Sequence, residues 1–354
     1  MLIYLFVVLL ILIFEYQVQG IKSQVLRDKT EDRYLRIVCW ILVLLAALRG
    51  SSVGTDTIGY IQDYEDIASL SLAEVLEKRA DYPVYYLLSK ICSLLHLSVQ
   101  VLFGIVEGIY AYSIYKFTSR SSEDKLYTIL CFEMIGLYSF SLAGLKQTLS
   151  MAFVLLCYMA LIDKKYFKTA VLAVVAYLCH HASLIFLFGV ALYFIRNWKI
   201  YYWALAGIVL YSLLRTDSFW TNMLTALNND HYTELYMADE GYSNTTMIFY
   251  GVLLFMLFLF SRNYREQEKG EARVVLGMST LAFVFQAFSL ISSAAFRLSY
   301  YFMPLMIVGF SNAFNSNKYN GKIEKIAVAF MIIVFFVYSN RNGGSVVPYK
   351  FFWQ

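Results

Sequence analysis

The stretch IVCWILVLLAALRGSSVGTDTIGYIQDYEDI, Ile37–Ile67, decides the fold. It begins as an uninterrupted apolar run, Ile37–Leu48, and ends abruptly on Arg49, a Thr-Asp-Thr group and Tyr60. An apolar run that stops at a charged and aromatic mouth is the signature of a helix leaving a bilayer. The whole chain agrees: 354 residues, 60% hydrophobic, 18% aromatic and 15% charged, with a mean hydropathy of +0.58. A water-soluble domain cannot bury that much apolar surface, which excludes a soluble binding or structural protein. Three prolines, and apolar runs that do not alternate with polar residues, favour helices over a barrel. The expected fold is therefore all-α and polytopic, a single integral membrane domain over residues 1–354.

Working outward from that stretch, apolar runs fall at about 1–16, 34–48, 98–116, 126–142, 145–162, 166–180, 182–195, 200–214, 246–261, 274–293, 298–312 and 326–338, about twelve spans. The first, MLIYLFVVLLILIFEYQVQG, lacks a basic leader and a small-residue cleavage site and reads as a retained span. Cys39, Cys92, Cys131, Cys157 and Cys179 form no CxxC and no metal-ligand spacing, so they read as small buried hydrophobes. Neither a metal, a cofactor nor a nucleic-acid partner is expected.

Alternate loops hold most of the 29 basic residues, in the groups Lys22–Arg36, Lys116–Lys125, Lys164–Lys168, Arg196–Lys199, Arg262–Arg273 and Lys318–Lys325. The positive-inside rule places these loops in the cytoplasm and both termini outside. Two long outer segments remain, about 49–97 and 215–245. The first contains SLAEVLEKRADYPVYYLLSKICSLLH and is expected to form surface helices, one opened by Pro83. Both carry too many aromatics for flexible linkers and are expected to cap the bundle.

Several ionisable residues stand at outer span ends: Arg49, Lys146 in AGLKQTLSMAF, Arg297 in SSAAFRLSYYF, and His180 and His181 in YLCHHASLIFLF, with Asp56 close behind Arg49. Any one of them alone reads as a snorkelling anchor or a hydrogen-bonded histidine. Together they suit a pyrophosphate: Arg grips phosphate oxygens with a planar fork, and Lys adds a point charge. A carboxylate or a neutral imidazole could take a proton from an attacking hydroxyl. Outer aromatics such as Tyr60, Tyr82, Tyr85 and Trp220 could stack on sugars or simply form an interfacial belt. Glu107 and Glu133 are isolated carboxyls inside spans, where pairing is the first expectation and an ion path the second. Gln286 reads as an interhelical hydrogen bond.

The motifs resemble the EpsG-like branch of the Wzy-type polysaccharide polymerases. The resemblance rests on LRGSSVGTDTIGYIQDYEDI, then DYPVYYLL, GLKQTLSMAF, HHASLIFL, RLSYYFMPLM and a terminal VPYKFFW, in that order. It implies a GT-C-like helical architecture and a metal-independent, inverting transfer of oligosaccharide repeat units carried on undecaprenyl pyrophosphate. The reaction would run on the outer side of the bacterial cytoplasmic membrane, in company with a flippase and a chain-length regulator. By motif, the resemblance carries over Arg49, Asp56, Thr57 and Tyr60, then Lys146 and Gln147, then His181 and Ser183, then Arg297 and Tyr300. It implies that Arg49, Lys146 and Arg297 hold pyrophosphate and that Asp56 or His181 is the base. Two positions depart from the pattern. Lys146 replaces an arginine and loses its fork, and Tyr82 stands where a glutamate usually precedes Pro83. A flippase of lipid-linked sugars and a polysaccharide ligase are the rival readings.

Overall fold

In an apolar medium every backbone N–H and C=O must be satisfied within its own segment, so apolar runs of this kind become helices. The computed structural model describes residues 1–195, 207, 244–289, 295–316 and 321–354. Its described residues form helices and no ladder longer than isolated bridges. They fall into two compact units, Met1–His180 with Lys322–Gln354, and His181–Gly321.

The first unit contains α1 (Leu2–Gln19), α2 (Gln24–Ala47), α3 (Thr57–Ser69), α4 (Leu72–Lys78), α5 (Pro83–Leu94), α6 (Val99–Ser121), α7 (Lys125–Met134), α8 (Leu137–Ala143), α9 (Leu145–Ile162), α10 (Tyr166–Cys179) and, from the far end of the chain, Lys322–Ser339. The second contains a 3-10 turn (His181–Ile185), α11 (Phe186–Phe194), α12 (Asn244–Phe260), α13 (Arg262–Gln267), α14 (Lys269–Phe288), α15 (Ala295–Ser299) and α16 (Met303–Ser316); the helix Lys322–Ser339 is α17. Among the described residues, α1, α9 and Gly270–Phe288 are long and apolar enough to cross a membrane. The pair α7–α8, bent by 52°, makes a fourth if it counts as one span. Shorter apolar helices occur at Tyr166–Cys179, His181–Phe194 and Thr245–Phe260. The expected span at 200–214 and nearly all of the outer segment at 215–245 lie outside the described residues.

Three elements differ from the hydropathy reading. α2 begins at Gln24, a full polar stretch before the apolar run, and is supported there by an Asp32–Arg36 pair at 3.0 Å. The run at 126–142 is broken because Gly136 adopts φ +106, ending α7. The run at 298–312 is broken because Pro304 cannot donate a backbone hydrogen bond and would clash one turn back, so α16 starts afresh at Met303.

Within the first unit, four basic loops meet at one end. Lys325 pairs with Asp124 and with Glu15 at 2.9 Å, Arg120 pairs with Asp163, and the Lys125 N–H donates to Glu31. The segment from α3 to α5 lies at the other end and is locked down by an aromatic core in which Tyr60, Tyr64, Tyr85 and Tyr86 pack with Phe103 of α6 and Leu145 of α9. Burying each such side chain contributes about 2 kcal/mol. Pro83 opens α5 as its first residue, matching the sequence expectation. Buried Lys90 of α5 donates to the carbonyls of Ile67 and Ala68, neutralising the C-terminal end of α3.

Candidate functional site

The local fold at the mouth of α2 follows from its residues. After Ala47 the chain leaves the helix and pairs with the C-terminal tail. The Gly50 N–H donates to Lys350 O and the Phe352 N–H to Leu48 O, both at 2.9 Å, so that Arg49 and Phe351 form an antiparallel bridge. Gly54 turns with φ +97, and a Cβ there would lie 2.3 Å from Leu142 O. Thr57 is fully buried, and its hydroxyl donates to Val53 O at 2.6 Å. Gly54 and Thr57 thus fix the turn that starts α3. Asp56 is left half-exposed at the N-cap, where its side chain caps no backbone N–H.

Arg49 is 1% exposed. Its guanidinium lies over the Phe103 ring, 4.0 Å from the centroid, and Nη1 donates to Ala46 O at 2.7 Å. Nε and Nη2 are buried with no hydrogen-bond partner. Glu107, one turn beyond Phe103 on α6, is also 1% exposed and lies within electrostatic reach of Arg49, as do Tyr85, Tyr138 and Tyr349. Glu107 hydrogen-bonds Ser141 and has one oxygen without a partner. A buried guanidinium that leaves donors unanswered is costly, and the cost singles out this position.

Lys146, at the start of α9, stands in a cup of four tyrosines. Its Nζ is 4.5 Å from the ring centroid of Tyr86, 5.4 Å from Tyr82, 5.5 Å from Tyr85 and 5.7 Å from Tyr60. It donates to Tyr86 Oη at 2.5 Å and lies 3.4 Å from Asp63 Oδ2. Tyr86 Oη in turn donates to the same carboxylate oxygen at 3.3 Å. Arg79, which follows α4, reaches the other oxygen, Asp63 Oδ1, at 3.3 Å. The ring of His180 stacks on Tyr82, centroids 5.2 Å apart. The arrangement is a partly exposed cluster of two cations, one carboxylate and sugar-sized aromatic faces.

A family model described as the EpsG family matches residues 32–351. The chain belongs to the EpsG family. No curated protein and no solved structure matches it. The resemblance read from the ordered motifs is therefore correct, and membership points to a membrane protein of polysaccharide-polymerase type.

Of the residues singled out by motif in this EpsG-family chain, the first unit gathers Arg49, Asp56, Thr57, Tyr60, Lys146 and Gln147 at one end. Gln147 is buried. Ser150, one turn beyond Lys146, donates to Ala176 O at 2.8 Å and ties α9 to the end of α10, just before His180. The second unit carries His181, Ser183, Arg297 and Tyr300. His181 and Ser183 are buried in the 3-10 turn. Arg297 is half-buried in α15, its guanidinium 5.9 Å from the ring of Phe296, and Tyr300 meets that same ring edge-on at 5.7 Å. Gln286 makes the expected link between helices, accepting from Ser299 at 3.4 Å.

Sequence reasoning missed Asp63 and Arg79. A signal for Asp63 existed: Tyr60, Asp63 and Tyr64 recur at helical spacing and share one face of α3. His180, which the sequence offers beside His181, stacks on Tyr82 of the Lys146 cup.

Proposed function

We propose that this EpsG-family chain is a polysaccharide polymerase, a glycosyltransferase that joins undecaprenyl-pyrophosphate-linked oligosaccharide repeat units on the outer side of the bacterial cytoplasmic membrane. One observation carries the reading: the buried Arg49 guanidinium keeps two donors unanswered at the end of the first unit that also holds the Lys146 cup, and Tyr85 serves both cations. Unanswered guanidinium donors suit a leaving phosphate better than a structural anchor. The end occupied by the basic loops is the cytoplasmic one on charge grounds, which puts Arg49 and Lys146 outside. The remaining apolar runs complete about twelve spans in a GT-C-like arrangement.

In the proposed reaction a hydroxyl at the non-reducing end of the incoming unit attacks the anomeric carbon of the growing chain. The new glycosidic C–O bond forms as the bond to pyrophosphate breaks, with inversion and without a metal. The hydroxyl proton goes to Asp56 or His181, and the charge of the leaving pyrophosphate is met by Arg49, Lys146 and Arg297. Thr57, Tyr60, Gln147, Ser183 and Tyr300 complete the substrate contacts implied by the motifs. A purified lipid-linked repeat unit incubated with the protein alone, read by mass spectrometry, gives dimers and longer products; unchanged single units remove this reading.

One observation favours a transporter instead. The break between α7 and α8 places Glu133, with both carboxylate oxygens buried and unpartnered, beside an interrupted helix of the kind transporters use to line a path. Deletion of the gene separates the two: loss of a polymerase leaves single repeat units on the outer face, and loss of a transporter leaves none.

A further inference from the structure

The replacement of an expected arginine by Lys146 leaves the cup without a planar fork. The structure supplies one from elsewhere in the chain. Arg79 and Lys146 take one oxygen each of the same carboxylate, Oδ1 at 3.3 Å and Oδ2 at 3.4 Å of Asp63. Both also lie against one ring, that of Tyr86, at 5.4 Å and 4.5 Å from its centroid. Asp66 gives Arg79 a second, looser contact at 3.8 Å and is itself largely exposed.

We propose that Arg79 and Lys146 together form a diphosphate-binding site, in which Asp63 is an internal stand-in whose place the phosphate oxygens of a lipid-linked substrate take. The inference rests on the polymerase reading and deepens it by naming a cation that no motif identified. A carboxylate with one cation on each oxygen has the geometry of a phosphate edge, and Asp66, the second carboxylate on Arg79, is 69% exposed and screened by solvent. The tyrosine walls lower the local dielectric, which strengthens an incoming anion's pairing with both cations. The Asp63 side chain is 23% exposed, so its carboxylate passes to water on displacement and is not stranded. A plain surface ion pair pinning α4 to α3 makes the opposite forecast for Asp63: removing its charge would then leave anion affinity unchanged or lower.

The test uses the full-length protein in detergent, titrated calorimetrically with inorganic pyrophosphate and, separately, with farnesyl diphosphate. The wild type binds both. Arg79→Gln weakens both by about tenfold or more, and Arg79→Lys falls between, because it keeps the charge and loses the fork. Asp63→Asn binds several-fold tighter, a gain that misfolding cannot produce. Equal affinity in wild type and Arg79→Gln, absence of wild-type binding, or unchanged or weaker binding in Asp63→Asn overturns the proposal. Binding of inorganic pyrophosphate without farnesyl diphosphate overturns the lipid-linked ligand. The same variants incubated with the lipid-linked repeat unit separate the two readings. Arg79-dependent binding in a wild type that makes no polymer removes the polymerase reading and keeps the site. Unaltered polymerisation and KM in Arg79→Gln removes the site and keeps the polymerase.

Discussion

The guanidinium carbon of Arg49 lies over Phe103, 4.0 Å from the ring centroid, with one of its nitrogens engaged by Ala46 O and two unanswered. The ring supports the cation while leaving planar guanidinium donors available, a combination that a lysine cannot reproduce. Arg49→Lys is expected to leave the protein in the membrane at near-normal abundance and to reduce the surface glycan to single repeat units. Phe103→Leu removes the cation–π support, about 1–2 kcal/mol, and is expected to slow polymerisation about tenfold. A gel of surface polysaccharide beside a blot of membrane abundance reads both; full-length ladders from both variants would sink the role of Arg49.

Glu107 is a buried carboxyl within electrostatic reach of Arg49. It sits one turn from Phe103 on α6, where Gly104 lets α2 approach so closely that a Cβ would meet Ala47 Cβ at 3.1 Å. Glu107→Gln removes this electrostatic interaction with buried Arg49 and is expected to cost about 1 kcal/mol. The double variant Arg49→Met/Glu107→Gln should regain most of that stability and none of the activity. Thermal unfolding in detergent measures the first, the polysaccharide ladder the second. Additive losses in the double variant would show that the two groups do not interact.

Gly54 is expected to be irreplaceable for a steric reason. Its φ of +97 disfavours any side chain, and a Cβ would lie 2.3 Å from Leu142 O. Gly54→Ala should cost at least about 2 kcal/mol and lower both abundance and activity. Gly343→Ala provides the contrast: φ is +82 there, but the nearest atom to a Cβ is Val347 O at 3.6 Å. Its loss should be confined to backbone strain of about 1 kcal/mol. Equal unfolding temperatures for the two variants would contradict the packing argument.

These positions show what the sequence makes legible. The apolar runs of α1 and α9 and the Pro83 helix start are local, each set by residues within a few positions of one another, and each appears where the sequence places it. The breaks at Gly136 and Pro304 were not visible in a hydropathy pattern because both lie inside strongly apolar runs. The polar first turns of α2 were invisible for the converse reason, since hydropathy marks the membrane and not the helix. The Lys146 cup is assembled from α3, the end of α4, α5, α9 and the end of α10, so its membership depends on packing between elements. Asp63 and Arg79 sit among loop helices whose charges look like an ordinary solvated surface until the fold turns them onto Lys146.

The terminal motif VPYKFFW also acquires a role that its sequence does not declare. Tyr349 donates its hydroxyl to Leu45 O at 2.7 Å, Tyr4 donates to Val346 O at 3.0 Å, and the Gly54 N–H donates to Ser345 O. With the bridge between Arg49 and Phe351, the tail pins both the last turn of α2 and the turn before α3. Tyr349→Phe removes one part-buried hydrogen bond and is expected to cost about 1 kcal/mol, with modest loss of chain length. Deletion of residues 345–354 removes every one of these contacts while sparing the apolar body of α17, so the protein should still reach the membrane. It should make no polymer, because the backbone on either side of Arg49 has lost its partner and the guanidinium its fixed plane. A truncated chain that is present at normal levels and still gives a full ladder would show that the tail does not position Arg49.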